Sequence, residues 1–217
     1  MRAIDDWRNR FPLHYAKEEG VLYPQLVVER IDALTRDREV VLTTEVGQNQ
    51  MWAAQYFDYA EPRLWLTSGS MGTIGFGLPA AIGAQVACPD KIVVDIAGDS
   101  SIQMNIQELA TAVEQQANIK IILMNNNALG LVHQQQTLFY GQRTFASDYE
   151  LKMDFIAIAS GFGMPTFDLG SCDDHADMLH QALQSSGPCL IHVPIDVKDK
   201  VFPMVPPGAA NTEMIGG

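Results

Sequence analysis

Two apolar runs of strand length, residues 92–97 and 119–124, flank one helical stretch at 106–115, and this unit constrains the fold more than any other feature of the chain. A near-continuous apolar run marks a strand covered on both faces in a parallel sheet, whereas a half-exposed strand alternates. Asp95 is the exception within the first run. Strand–helix–strand connections are right-handed almost without exception, so the two strands run parallel and both exit turns fall on one edge. The alternation continues on either side. A helix beginning at Pro24 carries Leu26, Val27, Ile31 and Leu34 at helical spacing, followed by a strand at 39–43, a helical pattern that fades by Tyr59, a strand at 64–66 and a small-residue helix running to Ala87. Helices at 129–139, 155–160 and 174–183 and strands at 165–169 and 189–193 complete the pattern. The fold class is α/β, with a mainly parallel central sheet and helices on both faces.

At 217 residues the chain has the size of one domain. Residues 1–20 read as a polar, irregular arm or linker, 21–200 as the domain, and the Pro- and Gly-rich stretch 201–217 as an extended tail. A net charge of −12 gives no electrostatic basis for binding a polyanion, so nucleic acid is excluded as a partner. No apolar run approaches the roughly 20 residues of a membrane span, and the mixed-charge start is not a secretory signal. The expected location is the cytoplasm, with no membrane partner. Cys88, Cys172 and Cys189 are widely spaced and read as packed thiols, not as a disulfide framework or zinc site.

In a parallel sheet, ligands bind beyond the carboxyl ends of the strands. Gly98-Asp99-Ser100-Ser101 follows the strand at 92–97, and Asn125-Asn126-Asn127 follows the strand at 119–124, so Asp99 and the asparagines face a common point. One carboxylate and one or two amide oxygens form a hard oxygen site. That set is too weak for a cation by itself, but it suits Mg²⁺, which draws its remaining ligands from water and substrate phosphates. The implied ligand is a phosphate ester or diphosphate. Gly98 permits the turn that aims Asp99, while Ser100 and Ser101 leave room for phosphate oxygens and present N–H groups. As spacing alone, the same clusters also read as two polar turns after strands. Gly75-x-Gly77-x-x-Ala80 matches a dinucleotide fingerprint, but residues 67–74 separate it from its strand and Asp95 falls inside a strand, so the glycines are expected to serve helix–sheet packing. Of the five histidines only His133 lies near the proposed site, where it reads as an ordinary polar helix residue.

GDSSIQMN followed by NIKIILMNNNALG resembles the thiamine diphosphate motif, a Gly-Asp-Gly separated by a strand–helix–strand unit from a pair of asparagines. With EVGQNQMWAAQ, LTSGSMGTIGFGLPAAIGAQ and VPPGAANTEMIGG, the chain from about Tyr23 to Gly217 resembles the carboxyl-terminal domain of acetohydroxyacid synthase (acetolactate synthase) catalytic subunits, most closely the bacterial isozyme I type. The resemblance implies a thiamine diphosphate-binding fold, with Mg²⁺ held by Asp99, Asn126 and the backbone carbonyl of Ala128. It places Gly47, Gln48, Asn49, Gly98, Ser100 and Ser101 at the diphosphate, Gly72 by the aminopyrimidine, and Leu129, Gly130 and Leu131 also against the cofactor. Ile74 would be the apolar wedge that bends the cofactor until its pyrimidine nitrogen reaches the thiazolium carbon. The implied reaction decarboxylates pyruvate and joins the remaining two-carbon unit to a second 2-oxo acid, pyruvate or 2-oxobutanoate, in branched-chain amino acid biosynthesis.

The sequence departs from the family pattern at several points. Ser100 replaces the last Gly of Gly-Asp-Gly, Asn49 stands where the family usually has His, and Gln135 stands where many relatives carry a Trp associated with preference for 2-oxobutanoate. Family subunits also carry a pyrimidine-binding domain, whose Glu activates the cofactor, and a central domain that often binds FAD. Neither is expected before Tyr23, so the resemblance implies half of an active site, inactive by itself. Its partners would be a homodimeric copy or a pyrimidine-domain chain, together with a regulatory subunit. Two alternatives stay open at this point: a non-catalytic thiamine diphosphate-binding or dimerisation module, and another thiamine diphosphate-dependent decarboxylase or carboligase.

Overall fold

The computed structural model describes residues 2–18, 20–59 and 61–216. They separate into two compact units, Leu22–Lys200 and the chain ends Met1–Val21 with Val201–Gly217. In the larger unit the elements follow one another as α2 (Pro24–Thr35), β1 (Val40–Thr44), α3 (Gln48–Tyr56), β2 (Trp65–Leu66), α4 (Gly77–Ala87), β3 (Ile92–Gly98) and a short α5 (Asp99–Ile102). Then come α6 (Glu108–Glu114), β4 (Ile119–Asn125), α7 (Gly130–Phe139), α8 (Phe155–Gly161), β5 (Thr166–Asp168), α9 (His175–Gln184) and β6 (Cys189–Pro194); α1 (Arg2–Arg10) belongs to the chain ends. No helix among the described residues is long and apolar enough to cross a membrane.

The described strands form one sheet in the order β2-β1-β3-β4-β6-β5, and every pairing is parallel. Both side-chain parities are buried, which is why the central strands read as continuous apolar runs. On one face Val93, Ala97, Ile121 and Leu190 pack with Leu78 of α4, Leu109 of α6 and Phe155 of α8. On the other, Leu42, Val94, Ile96, Ile122 and Ile191 are equally inaccessible, beneath α2, α3 and α9. Gly77 lets α4 approach the first face closely: a Cβ there would lie 2.6 Å from the Glu45 amide nitrogen and 2.5 Å from Asp95 Oδ1. Asp95 itself sits buried inside β3, so the Gly75/Gly77 pair serves packing and the dinucleotide reading fails on geometry.

The chain ends differ from expectation. The stretch expected to be irregular contains α1, whose Asp5 in the first turn and Arg8 and Arg10 in the last match the helix dipole. Arg10 also lies 3.6 Å from Asp6 one turn back, and Pro12 prevents the helix from continuing. The tail is not simply extended either. It turns at Gly208, forms a short 3₁₀ helix at Asn211–Glu213, and folds back so that Met204 and Ile215 exchange backbone hydrogen bonds of 3.1 and 2.9 Å.

Candidate functional site

The chain leaves β1 toward β2 on one side and returns to β3 on the other, so the carboxyl ends of these two strands form a topological switch point, where open α/β sheets bind ligands. A cavity of about 210 Å³ lies there. Its wall draws on the segments after β1, β3, β4 and β6: Gly47, Gln48 and Asn49; Gly98, Ser100 and Ser101; Asn126 and Leu129–Leu131; and Ile195. Ile74 and Gln135 reach the same space. Gly47 turns the chain from β1 into α3 at φ 148°, a conformation open to glycine alone.

Ser100 joins two of the three expected cation ligands, Asp99 and Ala128, and Ala128 joins the third, Asn126. Its hydroxyl donates to the Ala128 carbonyl at 2.7 Å and lies 3.5 Å from Asp99 Oδ1, while its N–H donates to the same carboxyl oxygen at 3.0 Å. Asn126 Oδ1 accepts from the Ala128 N–H at 3.1 Å. Asp99 is 3% exposed, and burial pushes its carboxyl up to about 7 against the opposing pull of N–H groups from Ser100, Asn127 and Ala128. A buried carboxyl with oxygen-only neighbours suits a hard divalent cation, which would restore the lost solvation. Ser100 has helical backbone angles, so a side chain is accommodated there where the motif has glycine.

Gln48 and Gly130 shape the opposite wall. The Gln48 side chain is held from three directions: Nε2 donates to Gln134 Oε1 at 2.7 Å and to the Asp199 carbonyl at 3.1 Å, and Oε1 accepts from Asn126 Nδ2 at 3.3 Å. Gly130 leaves the gap these groups need, since a Cβ there would run into Gln48 Oε1 and lie 2.6 Å from Asn126 Nδ2. Asn49 Nδ2 donates to the Ile96 carbonyl at 2.7 Å, which leaves one amide hydrogen for an anion. The Ser101 hydroxyl donates to Glu45 at 2.6 Å, so toward a phosphate Ser101 offers its N–H.

Ile74, an apolar side chain 43% exposed, lines the cavity from the loop between β2 and α4. Of the residues expected from sequence, only Gly72, Asp99 and Ala128 do not line the cavity: Gly72 is exposed on that same loop, while Asp99 and Ala128 lie buried behind Ser100. Sequence reasoning missed Glu45, which is fully buried and binds the N–H groups of Gly75 at 2.8 Å and Leu78 at 3.1 Å as well as Ser101. The available signal was an acidic residue placed after an apolar strand, ahead of a glycine-rich loop whose N–H groups need acceptors. It also missed Trp52, Met124 and Ile195 on the wall. The Trp52 indole N–H is buried with no hydrogen-bond partner among the described residues. Trp52 stands within the quoted EVGQNQMWAAQ, but no periodicity separates a cavity residue from a core residue there.

A narrow gap kept open by a glycine, a buried carboxyl beside a carbonyl and an amide oxygen, and a half-exposed apolar side chain together fit a Mg²⁺-bound diphosphate carrying a ring system. Comparison with known proteins bears on the diphosphate part of that ligand. The chain is 52% identical over 215 residues to the acetolactate synthase isozyme 1 large subunit of Escherichia coli (strain K12), covering 99% of this chain and 38% of that one. It is 44% identical to the acetolactate synthase large subunit of Parasynechococcus marenigrum (strain WH8102), covering 35% of it. It is 39% identical to the mitochondrial acetolactate synthase catalytic subunit of Saccharomyces cerevisiae (strain ATCC 204508 / S288c), covering 31%. The similarity takes in nearly the whole chain and so begins before Tyr23, yet the chain spans less than two-fifths of the relatives' length. Residues 45–193, from the buried glutamate after β1 to the penultimate residue of β6, match the family described as thiamine pyrophosphate enzyme, C-terminal TPP binding domain, and the chain belongs to that family.

Proposed function

We propose that this chain is the diphosphate- and Mg²⁺-holding part of an acetolactate synthase, which decarboxylates pyruvate and joins the product to a second 2-oxo acid. The observation that carries the reading is the hydrogen-bonded series Asp99, Ser100, Ala128 and Asn126, of which Ser100 and Asn126 line a cavity with Ile74 on its wall. The names of the relatives support the choice of reaction. Thiamine diphosphate supplies a thiazolium that stabilises negative charge on the carbon losing CO₂. The chain's own residues bind and orient. Asp99, Asn126 and Ala128 would hold the cation; Gly98, Ser100, Gly130 and the Ser101 amide would bracket the diphosphate. The Gln48 side chain fixes Asn126 from the far side. Ile74 fills the space in which the cofactor must bend, and Leu129 and Leu131 exclude water beside it. Cavity-lining Gln135 is too small and too polar to select strongly between pyruvate and 2-oxobutanoate as acceptor.

The acid that activates the pyrimidine ring is assigned to a partner, either a pyrimidine-domain chain or the remainder of a longer polypeptide. FAD and a regulatory subunit belong to that larger assembly. The decisive assay measures acetolactate from pyruvate with Mg²⁺ and thiamine diphosphate, first for this chain alone and then with a pyrimidine-domain chain added. Activity only with the partner is expected. Turnover by the chain alone would overturn the requirement for an external acid, and silence with every partner would favour a non-catalytic binding module.

A further inference from the structure

The three asparagines after β4 have three different tasks, and the first faces away from the cation site. Asn125 is 7% exposed, and its Nδ2 lies 3.0 Å from His192 Nε2 on β6. His192 Nδ1 lies 2.9 Å from Asp168 Oδ1 at the end of β5. Burial raises the Asp168 carboxyl, but hydrogen bonds from His192 and the Gly170 N–H outweigh it and hold the group below its usual range. The Asn127 N–H can only donate, so the Asn125 oxygen faces it and accepts at 3.1 Å, which turns the Asn125 NH₂ toward Nε2. Nε2 then accepts, so His192 carries its proton on Nδ1 and donates it to the Asp168 carboxylate. Each orientation is fixed by the one before it.

The relay ends on the residue that needs holding. Asn127 has φ 55°, a left-handed conformation that non-glycine residues seldom adopt unless their surroundings hold them there. That reversal lies between Asn126, whose Oδ1 accepts from the Ala128 N–H at 3.1 Å, and the Ala128 carbonyl, which accepts from the Ser100 hydroxyl beside Asp99. Sheet register makes the reach direct: His192 lies opposite Leu123 on β4 and opposite Asp168 on β5, and Asn125 is two residues beyond Leu123 on the same face. We infer that Asp168, His192 and Asn125 form a positioning relay, which pins Asn127 and thereby presets Asn126 and the Ala128 carbonyl for a divalent cation. This rests on the reading of Asp99, Asn126 and Ala128 as the cation site. Partners one step removed from metal ligands typically change metal affinity by about 10–100-fold.

The test titrates Mn²⁺ into the full protein at saturating thiamine diphosphate, following free Mn²⁺ by electron paramagnetic resonance, and separately measures hydrogen exchange across residues 125–128 with no ligand added. His192→Phe is expected to weaken Mn²⁺ binding by roughly tenfold or more and to speed exchange at Asn127 before any cation is present. His192→Gln, whose amide can serve both neighbours, is expected to restore both readouts. Asp168→Ala, at the more exposed end of the relay, gives the same expectation should His192→Phe fail to fold. Parent-like Mn²⁺ affinity in His192→Phe or Asp168→Ala, while Asp99→Asn loses the cation, would overturn the relay and leave the cation site standing. Parent-like affinity in Asp99→Asn would overturn the cation site instead.

Discussion

Asp95 lies fully buried in β3, beside an equally buried Glu45. Burial raises the Asp95 carboxyl well above its ordinary value and the Glu45 charge adds to this, against the lowering effect of the Thr43 hydroxyl, which donates at 2.9 Å. Its Oδ2 has no hydrogen-bond partner among the described residues. The folded chain therefore keeps a proton that the unfolded chain gives up near pH 4. Stability attributable to this group falls as pH rises from about 4 toward the raised folded value, with a slope of at most about 1.4 kcal/mol per unit. Denaturant unfolding across pH 4–8 is expected to show that decline in the parent and a flatter profile in Asp95→Asn. At Gly130, alanine would push Gln48 and Asn126 apart. Overpacking of about 1–3 kcal/mol, where it falls on the bound state, corresponds to a loss of about 5- to 150-fold in cofactor affinity by calorimetry. For Gln135, competition between pyruvate and 2-oxobutanoate is expected to give products near the ratio of the acceptors supplied, and a large excess of the 2-oxobutanoate product would refute the weak selectivity. Asp99 and Asn126 were legible as single residues because strand exits and oxygen chemistry point to them. Glu45 left a local signal but not its partners, and Trp52 and His192 left none, because what matters in them is a partner distant in the chain or no partner at all.

Strand β4 illustrates what could and could not be read at the level of an element. Its seven buried residues identify a central strand, yet one of them is Lys120, fully inaccessible. The ammonium reaches past the end of α9, donating to the Ser185 carbonyl at 2.6 Å, the Gly187 carbonyl at 2.8 Å and the Ser185 hydroxyl at 3.2 Å. Lys120→Met is expected to lower stability by about 1–3 kcal/mol, since the two carbonyls lose their donor, and to leave cofactor affinity unchanged. Denaturation midpoints together with calorimetry separate the two effects. The buried strands and amphipathic helices followed from periodicity, and their parallel pairing followed from strand–helix–strand handedness. Helix α1 did not, although Ile4, Trp7 and, just past its end, Phe11 recur at helical spacing: all three are exposed, so the stripe is no core face, and the remaining local support is a charged pair one turn apart and a favourable dipole. The tail's return on itself depends on a contact between Met204 and Ile215, which no local pattern announces.

For the molecule as a whole, a net charge of −12 might be taken to argue against an anionic ligand. The proposed site resolves this locally: backbone N–H groups, amide side chains and a cation would meet the diphosphate, so long-range charge would have little part in it. The cavity also has an open, apolar side at Ile74, and the chain covers only 38% of its Escherichia coli relative, both in keeping with a site completed by further polypeptide. The most direct measurement is a calorimetric titration of thiamine diphosphate into the protein with and without Mg²⁺, repeated for Asp99→Asn. Saturable one-to-one binding that requires Mg²⁺ and weakens by about tenfold or more in Asp99→Asn is the expected result. Equally tight binding without Mg²⁺, or with Asp99 replaced, would contradict the assignment of this site.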